Sequence, residues 1–174
     1  MTLASLLPMS LTDGFVPCDL DEANDLLVRW GHNLGAVHRP FRSESWAFLV
    51  DGRPVSVAVS ASVVSSTVAG FRRGEVVELA RLASAERWAN RLMLRWWREV
   101  AAQRWECWPV RAAISYSQNA RHSGDLYRFD GWEKVSDDCG STGGGAWSRK
   151  RYATDAVAGK KTLWVWRYPT RVAA

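Results

Sequence analysis

The sequence has 174 residues, 47% of them hydrophobic and 24% charged, with a formal net charge of +5 and a pI of about 9.4. That composition suits one soluble globular domain with a sizeable core, and the basic balance favours an anionic partner such as nucleic acid or a phosphorylated cofactor. Three widely spaced cysteines, Cys18, Cys107 and Cys139, form no CxxC pair, so neither a disulfide framework nor a cysteine zinc site is indicated; no apolar run can span a bilayer, and MTLASLLPMSL lacks the basic start of a signal peptide, so a cytoplasmic protein without a membrane partner is expected.

Met1 to Val16 reads as a lead-in strand or extended arm. Asp19 to Glu22 then opens a helix in which Ala23, Leu26, Leu27 and Trp30 recur at helical spacing. Acidic residues at its start and Arg29 near its end suit the helix dipole, and Gly31 is a C-cap residue. The loop Gly31 to Pro40 holds His32 and His38, two of the three histidines in the chain. Two nearby histidines can bind a metal or serve as acid and base; they also read as solvated loop residues. Ser45 to Val50 and Arg53 to Ser62 read as strands joined by Asp51-Gly52, a hairpin signal. Val63 to Gly70 is an extension or loop, and Phe71 to Gly74 is a basic turn.

The stretch Glu75 to Trp97 organises the chain. Val76, Val77, Leu79 and Leu82 make a strand with Glu78 and Arg81 set among them. The pattern breaks at Ala83 to Arg87 and resumes as a helix carrying Leu92, Leu94, Trp96 and Trp97 and continuing to about Ala102. The first turn of a helix has N–H groups with no internal partner, and their partial positive charge suits a phosphate. Arg87 and Asn90 stand where they add further donors. The same pattern also describes a plain strand–helix unit of a core.

Val110 to Ser117 is the next strand, followed by polar residues from Gln118 to Asp125. Leu126 to Phe129 reads as a short helix ended by Asp130-Gly131, and Trp132 to Val135 as another strand. A glycine run from Gly140 leads to Trp147, Arg149, Lys150 and Arg151, where charge and a flat ring suit a nucleic-acid backbone and base or merely a solvated loop. Lys160 to Tyr168 is a closing strand with Leu163, Val165 and Arg167 on one side and Trp164 and Trp166 on the other. The expected fold is α+β, a mostly antiparallel central sheet flanked by helices, in a single domain over residues 1–174 with a Gly-rich, basic segment at 140–151.

This order resembles the GNAT acyltransferase family, in which a strand and turn lead into a helix whose N-terminus holds the pyrophosphate of coenzyme A. Glu78 to Ser84 and the Arg87 to Leu92 turn match that place, although the turn lacks the family's glycines. Ser115-Tyr116-Ser117 and then Leu126-Tyr127-Arg128-Phe129-Asp130-Gly131-Trp132 match the later strand and the tyrosine-bearing helix before a GF-like turn. The resemblance implies Leu82, Ala83, Arg87, Asn90, Arg91 and Asn119 as cofactor contacts. It implies Tyr127 as the acid that protonates the departing thiolate.

A narrower pattern combines His32 and His38, Glu78 to Leu82, Asn90, Tyr116, Gly124, Leu126, Tyr127, Gly131, Trp132, and Gly144, Gly145, Trp147, Arg149 and Arg151. It is similar to the phage Mom-type proteins, which add a carbamoylmethyl, glycinamide-like group to the N6 amine of adenine in DNA and so shield it from host restriction. That resemblance implies double-stranded DNA as partner, acetyl-CoA or an aminoacyl-tRNA as acyl donor, and an iron requirement at His32 and His38. It implies a protein working in the host cytoplasm.

An exocyclic adenine amine is a weak nucleophile that must be flipped out, positioned and relieved of a proton. Tyr127 is the candidate acid, His38 or Glu78 the candidate base, and Tyr116 a candidate contact to the base edge. Trp46 or Trp147 offers a stacking face, though a strand tryptophan also suits the core. Arg39, Arg42, Arg72, Arg73, Arg149 and Arg151 are the candidate phosphate contacts, and also suit a solvated surface. Two other readings stand beside this one: a noncatalytic GNAT-like DNA-binding protein, and a GNAT N-acetyltransferase acting on a small-molecule or protein amine. A homodimer is left open.

Overall fold

The structure is a computed structural model that describes residues 13–39, 42–139 and 160–169. Its framework is a seven-stranded sheet. In chain order the strands and helices are β1 (Gly14–Cys18), α1 (Leu20–Arg29), β2 (Ser43–Val50), β3 (Arg53–Ala61), the short pair β4 (Thr67–Val68) and β5 (Phe71–Arg72), β6 (Val76–Ser84), α2 (Arg87–Trp96), β7 (Ala112–Gln118), α3 (Asp125–Asp130), β8 (Glu133–Ser136) and β9 (Lys161–Arg167). The sheet order is β1-β2-β3-β6-β7-β9-β8. Every pairing is antiparallel except β6 with β7. The expected α+β architecture is therefore present.

Local chemistry explains the individual elements. Asp19 caps α1 by accepting the Glu22 N–H at 2.7 Å. The turn between β2 and β3 places Asp51 and Gly52 at φ 50° and 71°, as a tight hairpin of matching twist requires. Gly131 ends α3 at φ 90°. α2 runs on through a π turn, Trp97–Ala101, and a 3-10 turn, Ala102–Arg104. The segment before β6 differs from the sequence expectation: Val63 to Gly74 folds into the β4–β5 hairpin and a 3-10 turn, Arg73–Glu75. The lead-in arm begins its strand only at Gly14, and residues 1–12 lie outside the described part.

Alternation of side chains gives the sheet two different faces. One face carries Ala58, Val77, Leu79, Ala113 and Trp164 under α2 and α3, and packs with Met93, Leu94, Trp97, Tyr127 and Trp132. The other carries Val57, Val59 and Ala83 under α1, and Val76, Ala112, Ile114, Leu163 and Val165 under the β4–β5 hairpin. Among the described residues no helix is long and apolar enough to cross a membrane.

Candidate active site

The parallel pair of β6 and β7 is a fork. Its ladder runs only from Val76↔Ala112 to Leu79↔Ser115. Beyond it, β6 continues through Ser84 on β3 alone, and β7 continues through Gln118 on β9 alone. A bulge marks the parting: Val59 and Ser60 of β3 face Arg81 and Leu79, leaving Ala80 as the extra residue of β6. The edge of β6 that faces β7 thus has backbone groups with no strand opposite, so an extended amide-bearing chain can be held there.

Two helices stand over the mouth of this fork. α2 starts directly after β6, and its N-cap residue Glu86 makes no side-chain capping bond. Its opening N–H groups therefore lack that partner. Arg87 and Arg91 are exposed in the first two turns. Asn90 is half-buried, with an Oδ1 atom that has no hydrogen-bond partner. It shares a helical row with Leu94 and Arg98, and Arg98 reaches α3 through Asp130 at 2.7 Å. The unmet N–H groups, Asn90 and the open β6 edge fit a phosphate-bearing, amide-linked cofactor such as coenzyme A.

At the root of the fork lies Tyr127. Its hydroxyl is 2.8 Å from Ser115 Oγ, and Ser115 donates to the Leu79 carbonyl at 3.1 Å. The ring stacks on Trp164, with centroids 5.6 Å apart, and meets Trp132 edge-on at 5.4 Å. Burial pushes its phenol up, and the Ser115 hydroxyl opposes that shift. Gly124 at φ +77° brings the backbone against Trp164, where a Cβ would enter the indole ring.

The opposite face at the same level is charged. Glu78 is buried and accepts from Arg39 at 2.7 Å. Beside it the Tyr116 phenol is pushed well up, by burial first and by the Glu78 carboxylate next. The loop from α1 to β2 lies along this face. Arg81 donates to the Gly35 carbonyl at 3.1 Å and the Ala36 carbonyl at 3.4 Å, while Asn33 donates to Gln118 Oε1 at 2.6 Å. One segment is thereby tied to both arms of the fork. His32 accepts the Leu34 N–H through Nδ1, and burial followed by the charge of Arg81 lowers its pKa to about 4.

The sequence candidates are thus distributed unevenly. Tyr127, Glu78 and Tyr116 meet at the fork, Leu82 and Ala83 lie on its open β6 arm, and Arg87, Asn90 and Arg91 stand above it. Asn119 sits past the end of β7, where it donates to the Asp137 carbonyl just after β8 and accepts from Thr162 of β9; those bonds tie the end of β7 to both strands. His38 is exposed, and among the described residues no group of three or more His, Cys, Asp and Glu residues could hold a metal ion. The chemistry of His32, facing Arg81, suits a neutral ring. Arg42 pairs with Glu44 and Glu106, Arg73 bonds the carbonyls of Val64 and Ser65, and Arg72 is exposed. Trp46 packs edge-on to Trp96 in the core layer. Trp147, Arg149 and Arg151 lie outside the described residues.

Ser115 escaped sequence reasoning. The available signal was Ser115 and Ser117 alternating on one strand in a chain of 11 tryptophans, whose buried N–H groups need acceptors.

No protein-family model matches the chain, and no curated protein matches it in sequence. Solved structures do share its architecture. A probable acetyltransferase from Staphylococcus epidermidis superposes with a TM-score of 0.59 at 9% identity, over 90% of this chain and 99% of that one. NAA60 from Arabidopsis thaliana, solved with acetyl-CoA, gives a TM-score of 0.59 at 11% identity, over 88% of this chain and 97% of that one. The chain has the GNAT acetyltransferase fold. The ribosomal-protein-S18-alanine N-acetyltransferase of Escherichia coli agrees, with a TM-score of 0.58 at 9% identity over 93% of this chain and 99% of that one.

Proposed function

We propose that the chain is an acyl-coenzyme A-dependent N-acyltransferase whose acceptor is an amine. The observation that carries this reading is the fork, with Tyr127 at its root on one face and Glu78 on the other. Adjacent residues of a strand point to opposite faces. Leu79 and Ser115 therefore turn toward α2 and α3, while Glu78 and Tyr116 turn toward the α1 side. An acid and a carboxylate base are held on opposite sides of one opening, the arrangement that proton transfer across a breaking and a forming bond needs.

When bound, coenzyme A supplies an acyl group activated as a thioester. The first turn of α2, with Arg87 and Arg91, binds the pyrophosphate, and the open edge of β6 from Ala80 to Ser84 pairs the amide-linked arm. Glu78 takes a proton from the attacking amine on the α1 side. Tyr127 gives its proton to the leaving sulfur. The loop held by Arg81 and Asn33 excludes water from the α1 side.

The S18-alanine enzyme of the same fold acts on a protein amine, and this favours a protein or small-molecule amine as acceptor. The net charge of +5 supports a second reading in which an anionic molecule carries the amine, the adenine of DNA among them. One experiment separates them. The chain is incubated with acetyl-CoA and peptide amines, small-molecule amines or duplex DNA, thiol release is followed, and products are weighed by mass spectrometry. Thiol release with a peptide or small amine gaining 42 Da, about the mass of one acetyl group, supports the main reading; a heavier deoxyadenosine supports the second. Absence of thiol release and of coenzyme A binding contradicts both.

A further inference from the structure

The Ser115 hydroxyl has a single proton. It donates to the Leu79 carbonyl and also contacts the Tyr127 hydroxyl. A carbonyl has no proton to give, so the Ser115 proton is committed to Leu79. Tyr127 must then be the donor of the second bond. The resting order is Tyr127 to Ser115 to Leu79, and a chain that ends on a carbonyl cannot relay a proton onward. Rotation about the Cβ–Oγ bond of Ser115 can nevertheless turn its proton from Leu79 to the Tyr127 oxygen with no movement of heavy atoms.

We infer that Ser115 is a positioning residue for Tyr127, donating to the Leu79 carbonyl while Tyr127 holds its proton and to the Tyr127 oxygen once that proton has left. The inference rests on the reading of Tyr127 as the acid of N-acyl transfer. In that reaction the amine nitrogen bonds to the acyl carbon, the carbon–sulfur bond breaks, and its electron pair leaves on sulfur. The Tyr127 phenol protonates the sulfur. The amine loses one proton, to Glu78, and the thiol gains one, from Tyr127; Glu78 then releases its proton to water and Tyr127 takes one back from water, so no other reactant is consumed.

The environment makes the turning hydroxyl necessary. Among the described residues, the side chains bonded to or stacked on Tyr127 are Ser115, Trp132 and Trp164, all uncharged. The buried ion pair on that side, Arg98 with Asp130, is engaged by the Trp132 N–H at 3.1 Å. A phenolate in such surroundings is costly without a donor. Trp132 and Trp164 fix the ring, and the Trp164 N–H is itself given to Ser117 at 2.8 Å. Ser115 is the hydroxyl within reach.

The test uses the full chain with Ser115→Ala and Ser115→Thr, each alone and combined with Tyr127→Phe. Tyrosine labelled with carbon-13 at Cζ gives one resonance for each of the four tyrosines, and the Tyr127 signal is the one lost in Tyr127→Phe. That signal reports the hydroxyl bond without any cofactor. Ser115→Ala shifts it, and Ser115→Thr returns it toward the wild-type position. In acyl transfer, Ser115→Ala lowers kcat about tenfold, as expected for one lost hydrogen bond, and leaves the KM for acetyl-CoA within about twofold. Ser115→Thr restores kcat. On a Tyr127→Phe background Ser115→Ala costs less than about twofold more. An unmoved Tyr127 signal, or a tenfold loss that persists without the Tyr127 hydroxyl, overturns the inference alone. A wild-type chain that neither binds acetyl-CoA nor releases thiol overturns the acyltransferase reading and the inference with it.

Discussion

The two faces of the fork are built from different chemistry. Under α2 and α3 the contacts around Tyr127 are neutral hydroxyl pairs, Trp97 donating to Ser60, Trp164 to Ser117, and Tyr127 meeting Ser115, each at 2.8 Å, and the one buried ion pair described there, Arg98 with Asp130, ties the helices to each other. On the α1 side they are charged: Arg39 holds Glu78, Arg81 holds two loop carbonyls, and His32 faces Arg81. Neutral hydroxyl–indole pairs fix position without a long-range field, so a charge arising among them is felt locally. Ion pairs set a field and bind mobile groups, at a desolvation cost that good geometry must offset. The neutral face thus suits the leaving sulfur, and the charged face suits the incoming amine.

Breaking the neutral face should have the largest effect. Gly124→Ala adds a methyl group at φ +77° that enters the Trp164 ring. It should destabilise the fold by about 3 kcal/mol and lower Tm by about 9 °C, read by calorimetry. It should also disturb Tyr127, which Trp164 supports. Tyr127→Phe keeps the ring stack and removes only the hydroxyl. It should lower kcat by about a hundredfold with Tm almost unchanged, and an active Tyr127→Phe would remove the acid role.

The charged face makes a pH prediction. The His32 ring titrates near pH 4 in the folded chain against 6.5 when unperturbed. Above pH 6.5 both states are neutral and the ring contributes nothing. As pH falls, the unfolded ring takes a proton that the folded ring refuses, so stability is lost between about pH 6.5 and about pH 4. Between pH 7.5 and pH 5 wild type should lose about 2 kcal/mol more than His32→Gln, measured by denaturant titration. Equal losses would show that His32 is not held neutral by desolvation and the charge of Arg81. The smallest effects come from single contacts. Asn33→Ala, which frees the loop from Gln118, should cost about 1 kcal/mol. Arg87→Ala should raise the KM for acetyl-CoA about fivefold with kcat kept.

What was legible in the sequence was local. The Asp51-Gly52 hairpin, the capped α1, the alternation of Lys161–Arg167 and the stop at Gly131 all follow from a few neighbouring residues. Glu78, Tyr116 and Tyr127 stand out in the sequence only through the family resemblance, each on its own short segment, and the structure adds that they stand around one fork. The fork itself was not legible. Pairing of β6 with β7 joins residues 36 apart, from Leu79 to Ser115, and the bulge at Ala80 depends on the β3 register. No short window records either. Ser115 stands in the sequence only as part of the Ser115-Tyr116-Ser117 strand segment, and only the tyrosine and carbonyl packed on it reveal its bonds. His32 and His38 stand close in sequence, but the loop half-buries the first and exposes the second.

The most direct measurement is hydrogen–deuterium exchange of the full chain with and without coenzyme A. Slowed exchange confined to Ala80–Ser84 of β6 and the opening turn of α2 is the expected result, because the N–H groups there that point away from β3, and those that open α2, gain partners when the fork is filled. Binding that leaves these amides unchanged and protects another part of the sheet would contradict the fork as the active site.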